Sequence, residues 1–427
     1  MNANDKRGLV FTARFNFHVP ETPPPTTIAT VSTRTRNRYL IVFCGMLLAI
    51  SGFSVDIMLP AFSSMAEVLA TKVERVQLTI PFFTLTLAIS QFFYGFLSDR
   101  FGRKPIMAAG LILYLAGSIV CSLAPNIDWV LAGRVIQGAG AACGAVLARA
   151  ILRDTHSGVA LASAMALATA IFSLGPIIAP LAGLGLQMLG GWRAIFLSMA
   201  ALAIILLTIN LFAFKETNLS PDMRALRISR MMASLKLLLT TATSLQFIAT
   251  ASIAYCALMT ILVNVPLIYE QSLGATTLEF AVYFALAGLG IAVGQFANRQ
   301  LLKRFSVRTV IRLAASNLIL TAVLTLVLFQ LGWLTPITFA LILFYFNTSF
   351  LVVVANSLSL VLDPYPDIAG FASAFFGMVT LGTGSVFVAI TATFVGGDAN
   401  RFGMILLMMS ALSLIVAVLP TGKTIQA

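Results

Sequence analysis

Apolar residues in this chain do not alternate with polar ones at the spacing of an amphipathic helix or strand. They run in long blocks. The blocks fall at about 39–60, 78–97, 106–124, 129–152, 160–186, 194–214, 243–268, 280–301, 309–331, 336–361, 370–395 and 402–420. Each is long enough to cross a hydrocarbon core of about 30 Å as a helix rising ~1.5 Å per residue. Backbone N–H and C=O groups in lipid must pair within their own segment, so such blocks are helices. The pattern predicts an all-α membrane protein of twelve transmembrane helices. Composition agrees: 59% of the 427 residues are hydrophobic and 10% charged, against about 25% charged in soluble domains. Mean hydropathy is +0.97.

Charge then orients the chain. A net charge of +12 would suit a nucleic-acid binder, but the basic residues sit almost wholly in short connectors between apolar blocks. With the N-terminus inside, 21 of the 27 Lys and Arg fall in inner segments and 4 in outer loops. That is the positive-inside bias. It puts both termini on the cytoplasmic side and argues against a nucleic-acid partner; the expected location is the cell's inner (plasma) membrane. The longest inner connector divides six blocks from six. The expected organisation is a cytoplasmic tail (1–38), an N-terminal bundle (39–214), a linker (215–242), a C-terminal bundle (243–420) and a short C-tail (421–427). A weak repeat supports two halves: Gln91, Phe92, Leu97, Arg100 and Phe101 recur 204 residues later as Gln295, Phe296, Leu301, Arg304 and Phe305.

Several function classes drop out. Cys44, Cys121, Cys143 and Cys256 all lie inside apolar blocks with no CxxC pair, so neither a disulfide nor a metal site is expected. His18 and His156 lie outside the blocks, which argues against a membrane-embedded histidine relay. No Walker loop, HExxH or GxSxG occurs, so the chain is not read as an enzyme and no cofactor is expected.

Of 15 acidic residues, only Asp56 falls within an apolar block. A carboxylate in lipid is costly unless paired or protonated, which marks it as functional by default. Block 1 enters from inside and block 4 from outside, so Asp56 and Arg134 are expected at similar depth in the outer half. An arginine beside a carboxyl favours its charged form, and removal from water favours the neutral one. A site balanced between these is what proton coupling needs. A static ion pair locking the two helices is the alternative. The second feature is the inner loop Gly95-Phe96-Leu97-Ser98-Asp99-Arg100-Phe101-Gly102-Arg103-Lys104-Pro105, where two glycines allow a tight reversal and three cations crowd one acid.

This loop resembles the signature motif of the major facilitator superfamily. Asp56-Ile-Met-Leu-Pro60 is similar to the end of helix 1 in its bicyclomycin- and chloramphenicol-resistance (Bcr/CflA) branch of drug:proton antiporters. Arg134-Val-Ile-Gln137-Gly138-Ala-Gly140 resembles that branch's helix 4 motif, and Leu174-Gly175-Pro176-Ile-Ile-Ala-Pro180 its helix 5 antiporter motif. Gly191-Trp192-Arg193 is similar to the usual sequel. The resemblance implies two six-helix bundles around a central cavity, working by alternating access. It implies Asp56 and Arg134 as the coupling pair. It also implies Gly95, Asp99, Arg100, Gly102, Arg103 and Lys104 as a gating motif bracing the opposite bundle, and Gly175 with Pro176 as a helix 5 kink. The C-terminal copy departs from the pattern, with Lys303 where Asp99 stands, so the brace is expected on one side.

Polar residues within apolar blocks supply substrate-binding candidates: Gln91, Tyr255, Asn264 and Asn356. Helix–helix hydrogen bonding competes as an explanation for each. The leading expectation is a monomeric proton-coupled antiporter that exports drugs or other small lipophilic molecules. Its partners would be a small-molecule substrate, protons and the lipid bilayer. Proton symport of a sugar or organic acid would call for more membrane carboxylates in the second half. A non-transporting receptor or scaffold would not depend on Asp56.

Overall fold

The computed structural model describes residues 29–221, 228–365 and 368–420. The tail through residue 28, linker residues Asp222, Arg224 and Arg227, and the 421–427 tail lie outside the described residues. Every apolar block is helical, as lipid demands of the backbone. The order is α1 (Ala29–Asp56), α2 (Phe62–Val68), α3 (Val73–Gln77), α4 (Thr79–Phe101), α5 (Arg103–Ser122), α6 (Ile127–Thr155), α7 (Gly158–Ser173) and α8 (Gly175–Thr208). Then come α9 (Ile228–Thr240), α10 (Ala242–Leu267), α11 (Thr277–Leu301), α12 (Val307–Gln330), α13 (Pro336–Leu362), α14 (Ala369–Val395) and α15 (Ala399–Val418).

Eleven segments among the described residues are long and apolar enough to span a membrane. One of them, Gly158–Ala213, has 56 residues and holds two crossings. The chain reverses at Gly190 and Gly191, the latter at φ 67°, a conformation that favours glycine. Arg193 donates to the Ala124 carbonyl at one end of the molecule, and Asn210 donates to the Lys104 carbonyl at the other. The returning limb therefore runs the full length of α5, and the twelve crossings of the sequence pattern are recovered. We call the end carrying the Gly95–Pro105 loop the basic end, and the other the far end.

Three local features differ from a plain block reading. The first block is not one helix: α1 ends at Asp56, and Pro60 opens a 3-10 turn over Leu59–Ala61 before α2. The linker holds a helix of its own, α9. The fifth crossing is interrupted at Leu174, because Pro176 has no N–H to give the preceding turn. Leu174 N–H instead donates to Ile171 O at 3.2 Å, a tighter local bond.

Packing in lipid relies on close backbone approach rather than on expulsion of water. Helix α6 packs on α4 and α5, α8 on α5, α10 on α13, α14 and α15, and α11 on α13. The two halves meet along α4 with α14 and along α8 with α11. Outward positions such as Ile112, Ile204, Val293, Ile390 and Met408 are exposed and apolar, which suits a lipid-facing surface. The tightest approach lies at the break in α1: a Cβ on Gly183 of α8 would stand 1.9 Å from the Ile57 carbonyl oxygen. Two residues on, Gly185 has nothing within 4 Å.

These two glycines give a matched test. Gly183→Ala must push α8 off α1 and is expected to destabilise the purified protein by about 1–3 kcal/mol. Gly185→Ala, in open space on the same helix, is expected to be neutral or to stabilise by up to about 1 kcal/mol. Equal thermal-unfolding midpoints for the two variants in detergent would contradict the packing described.

Candidate functional site

Arg134 is fully buried in α6. Its Nη1 donates to Gln137 Oε1 at 2.6 Å and to the Ser54 carbonyl of α1 at 3.3 Å. Its Nε donates to the Thr79 carbonyl at the start of α4 at 3.2 Å. The guanidinium lies 4.1 Å from the Phe83 ring centroid, a cation–π contact strengthened by the absence of water. Gln137 Nε2 in turn donates to Ser118 Oγ at 2.7 Å, and the Ser54 and Tyr114 hydroxyls are 2.6 Å apart. Four helices thus converge on one cation. Its Nη2 has no partner among the described residues.

Asp56 lies one helix away, at the last residue of α1 and only 5% exposed. Val55, Ile57, Met58 and Leu59 around it are all buried. The ion pair with Arg134 expected from depth is not formed: among the described residues Asp56 makes neither a hydrogen bond nor a salt bridge. The two residues do lie at similar depth, since Arg134 reaches the backbone of Ser54, two residues before Asp56. Carbonyl and amide oxygens supplied by three helices hold the guanidinium in place of the carboxylate.

The loop at the basic end is built on Gly102, at φ 97°, which ends α4 and starts α5. Arg103, 7% exposed, donates from Nη1 to Asp99 Oδ1 at 2.5 Å and Ser98 Oγ at 2.7 Å, and from Nε to Asp154 Oδ2 at 3.0 Å. The Glu216 carboxylate caps α5, accepting from Arg103 N at 3.0 Å and Lys104 N at 2.9 Å. It also accepts from the backbone N–H of Thr217 and Asn218. Partial burial works against this negative charge. The four N–H donors outweigh it and hold the carboxyl below the usual carboxylate range. Lys104 Nζ donates to Leu211 O, and Arg100 lies 5.1 Å over the Phe101 ring. Among the described residues the brace against the opposite half is not made in this conformation, because Arg103 and Lys104 find their partners within 95–218. Asp154 and Glu216 were not singled out in the sequence; each sits just past an apolar block, where an acid reads as ordinary loop.

A cavity of about 400 Å³ lies between the halves, lined from α4, the start of α5, α6, α10, α13 and α14. It runs from Gln91 down to Asp99 on α4 and from Val146 to Asp154 on α6, about 12 Å along each helix, and reaches the basic end. The far end is bridged between halves: Gln77 Nε2 donates to Val263 O at 2.8 Å, and Ser63 Oγ to Glu270 Oε2 at 2.5 Å. Gln91 and Tyr255 line the cavity, as do Gly95, Asp99 and Arg103. Asn264 and Asn356 do not. Asn264 is fully buried and donates to Thr260 O at 2.9 Å; Asn356 donates to Asn298 Oδ1 at 2.8 Å. Both satisfy themselves between or within helices, the competing role for any polar residue in lipid. Gly175 and Pro176 stand at the meeting of the halves: a Cβ on Gly288 of α11 would lie 3.2 Å from Pro176 Cβ. Arg149, inside the fourth apolar block, also lines the cavity. A basic residue within a block was its only sequence signal.

The capped loop has a pH signature. Because the folded carboxyl of Glu216 is depressed, its contribution is complete above the ordinary glutamate range. It is lost as pH falls through the folded value. Glu216→Gln is expected to lower stability at neutral pH by about 1 kcal/mol, a figure trimmed by the group's exposure. It should also flatten the acid limb of the midpoint-against-pH curve. Parallel curves for variant and wild type would refute this capping role.

Comparison with known proteins agrees with the geometry. The sequence pattern of the Major Facilitator Superfamily matches residues 43–389. The multidrug resistance protein MdtL of Shigella dysenteriae is 30% identical over 382 residues, covering 89% of this chain and 95% of that one. A bicyclomycin resistance protein homolog of Haemophilus influenzae is 27% identical over 361 residues, covering 83% and 88%. Among solved structures, a mutant of the peptide transporter POT superposes with a TM-score of 0.71 at 15% identity, over 89% of this chain and 93% of that one. The xylose transporter XylE of E. coli, in a partially occluded inward open conformation, gives 0.69 at 13% identity, over 92% and 100%. Helix order, loop motif and these matches converge: the chain belongs to the Major Facilitator Superfamily and is a membrane transporter, not an enzyme.

Proposed function

We propose that this transporter exports drugs or other small lipophilic molecules in exchange for protons, by alternating access. The basic end faces the cytoplasm, the chain resides in the inner (plasma) membrane, and a single chain is the working unit. The observation that carries the coupling is Asp56. It is a buried carboxyl with no partner among the described residues, one helix from a buried guanidinium whose Nη2 is likewise idle among them. A lone charge there is costly. The cost falls when a proton binds, or when Arg134 is brought across. Two stable arrangements of one acid provide the bistable element that a proton gradient can bias.

The bridged far end and the cavity reaching the basic end support an inward-facing state. In the reading proposed here, the halves 39–214 and 243–420 rock about the α4–α14 and α8–α11 seams, with 215–242 as tether. The interruption at Gly175 and Pro176 lets the fifth crossing bend at a seam. Closing the basic end brings the Gly95–Lys104 loop against the opposite half. Kinship with proteins named for multidrug and bicyclomycin resistance favours export over import.

One membrane acid suggests one proton per cycle. Export of a neutral substrate then carries one positive charge inward, worth about 2.3 kcal/mol per 100 mV. In proteoliposomes, Asp56→Asn is expected to abolish pH-driven efflux, a loss of more than about tenfold, while leaving substrate binding in place. Neutral-substrate efflux that ignores an imposed potential would sink the stoichiometry, and full pH-driven activity in Asp56→Asn would sink the coupling. Alternating access has its own check. Bridging Ser63→Cys to Glu270→Cys with a short bifunctional thiol reagent is expected to stop transport reversibly, by holding the far end shut. Continued turnover of the bridged protein would exclude the mechanism.

A further inference from the structure

The polar groups in the deep part of the cavity are unbalanced in kind. Gln91 is 8% exposed, and its amide makes no hydrogen bond among the described residues. It is set against α14 so closely that a Cβ on Gly377 would lie 2.8 Å from Gln91 Nε2. Across the cavity on α10, Tyr255 packs edge-on to Phe350, and its hydroxyl, within electrostatic reach of Arg149, makes no hydrogen bond among the described residues. Arg149 gives one of its five N–H groups to its own helix, at Ala145 O, 2.9 Å away. Among the described residues it faces no carboxylate that is free to receive the rest. The two carboxylates lining the cavity, Asp99 and Asp154, lie toward the basic end and are both engaged by Arg103. The remaining wall mixes aromatic and aliphatic side chains, with Phe92 and Phe371 in edge contact at 5.6 Å, and adds one more cation, Arg153.

Unused donors beside a largely apolar wall, with no idle acceptor acid among the described residues, are complementary to an acceptor-rich cargo. We propose that the transported molecule carries a carboxylate or comparably compact oxyanion on a flat apolar body. The oxyanion takes the Arg149 guanidinium as a two-pronged donor, supported by the Gln91 amide and the Tyr255 hydroxyl. The apolar body lies against the phenylalanines, and the whole fits a cavity of about 400 Å³. A cation would meet Arg149 with no free carboxylate among the described residues to offset it. The proposal rests on the exporter reading, since it names the cargo of that site. It also changes the electrical bookkeeping: an anion leaving as a proton enters moves two positive charges inward per cycle.

The test uses three probes of one ring system and different charge: 2-naphthoate, 2-naphthamide and (2-naphthyl)trimethylammonium. Each is titrated calorimetrically into the purified full-length protein. The wild type is expected to bind 2-naphthoate about tenfold more tightly than the amide, and the cation most weakly. Arg149→Gln is expected to cost 2-naphthoate about tenfold while leaving the amide within about twofold, and Arg149→Lys to restore part of the loss. Should Arg149→Gln fail to fold, Tyr255→Phe removes a donor from the opposite wall and is expected to weaken 2-naphthoate alone, by about threefold. The proposal is overturned if the wild type shows no preference for the anion, or if Arg149→Gln weakens all three probes alike. The two readings fail separately. Lost anion preference beside intact, Asp56-dependent efflux overturns only the cargo class. Anion preference without pH-driven flux in proteoliposomes upholds the site and overturns the exporter.

Discussion

Lipid offers no hydrogen bonds, so every polar group in this bundle must be answered by another part of the chain. Arg134 shows the constraint at its most severe. A guanidinium buried among helices has to collect acceptors from all of them: the Ser54 carbonyl of α1, the Thr79 carbonyl of α4 and the Gln137 side chain of its own helix, with Ser118 of α5 behind Gln137. That demand sets where four helices cross. Close approach is needed to meet it, and Gly138 next to Gln137 supplies it, since a Cβ there would stand 2.2 Å from the Phe83 carbonyl. The Arg-Val-Ile-Gln-Gly run is therefore one device: a charge, its nearest acceptor and the gap that admits the neighbouring helix.

The same demand leaves Asp56 conspicuous. It stands at the end of α1 beside the break made by Ile57–Pro60, close to the network yet outside it. In the proposed cycle this separation is one of two arrangements, and the guanidinium's idle Nη2 is where the other begins. At the basic end a similar economy holds. Glu216, reaching back from beyond α8, answers the open N–H groups of α5, while Arg103 gathers Asp99 and Asp154. The charges of the loop are thereby answered within its own half.

Much of this was legible in the chain. Block length and basic connectors led to twelve crossings, and Asp56, Arg134 and the Gly95–Lys104 loop stood out as residues too costly or too patterned for lipid without a reason. Gln91 and Tyr255 do line the cavity. Asn264 and Asn356 lie off this cavity, since a polar residue in an apolar block satisfies itself toward a neighbouring helix as readily as toward a cavity, and sequence carries no sign of which way it faces. Arg149 was visible as a charge within a block, yet its exposure to the cavity depends on the rotation of α6.

What the sequence alone determined is one-dimensional: which segments cross the membrane, how the basic connectors are distributed, and which residues are expensive there. Those follow from hydropathy and charge along a line, because transfer into lipid is decided segment by segment. What only the tertiary structure decided is angular and mutual: that Arg134 takes carbonyls instead of Asp56, that Glu216 caps α5 from over a hundred residues away, and which faces of α4, α6, α10 and α14 meet the cavity. Those depend on helix rotation and crossing, which arise from packing between segments and leave no periodic trace in helices apolar on every side.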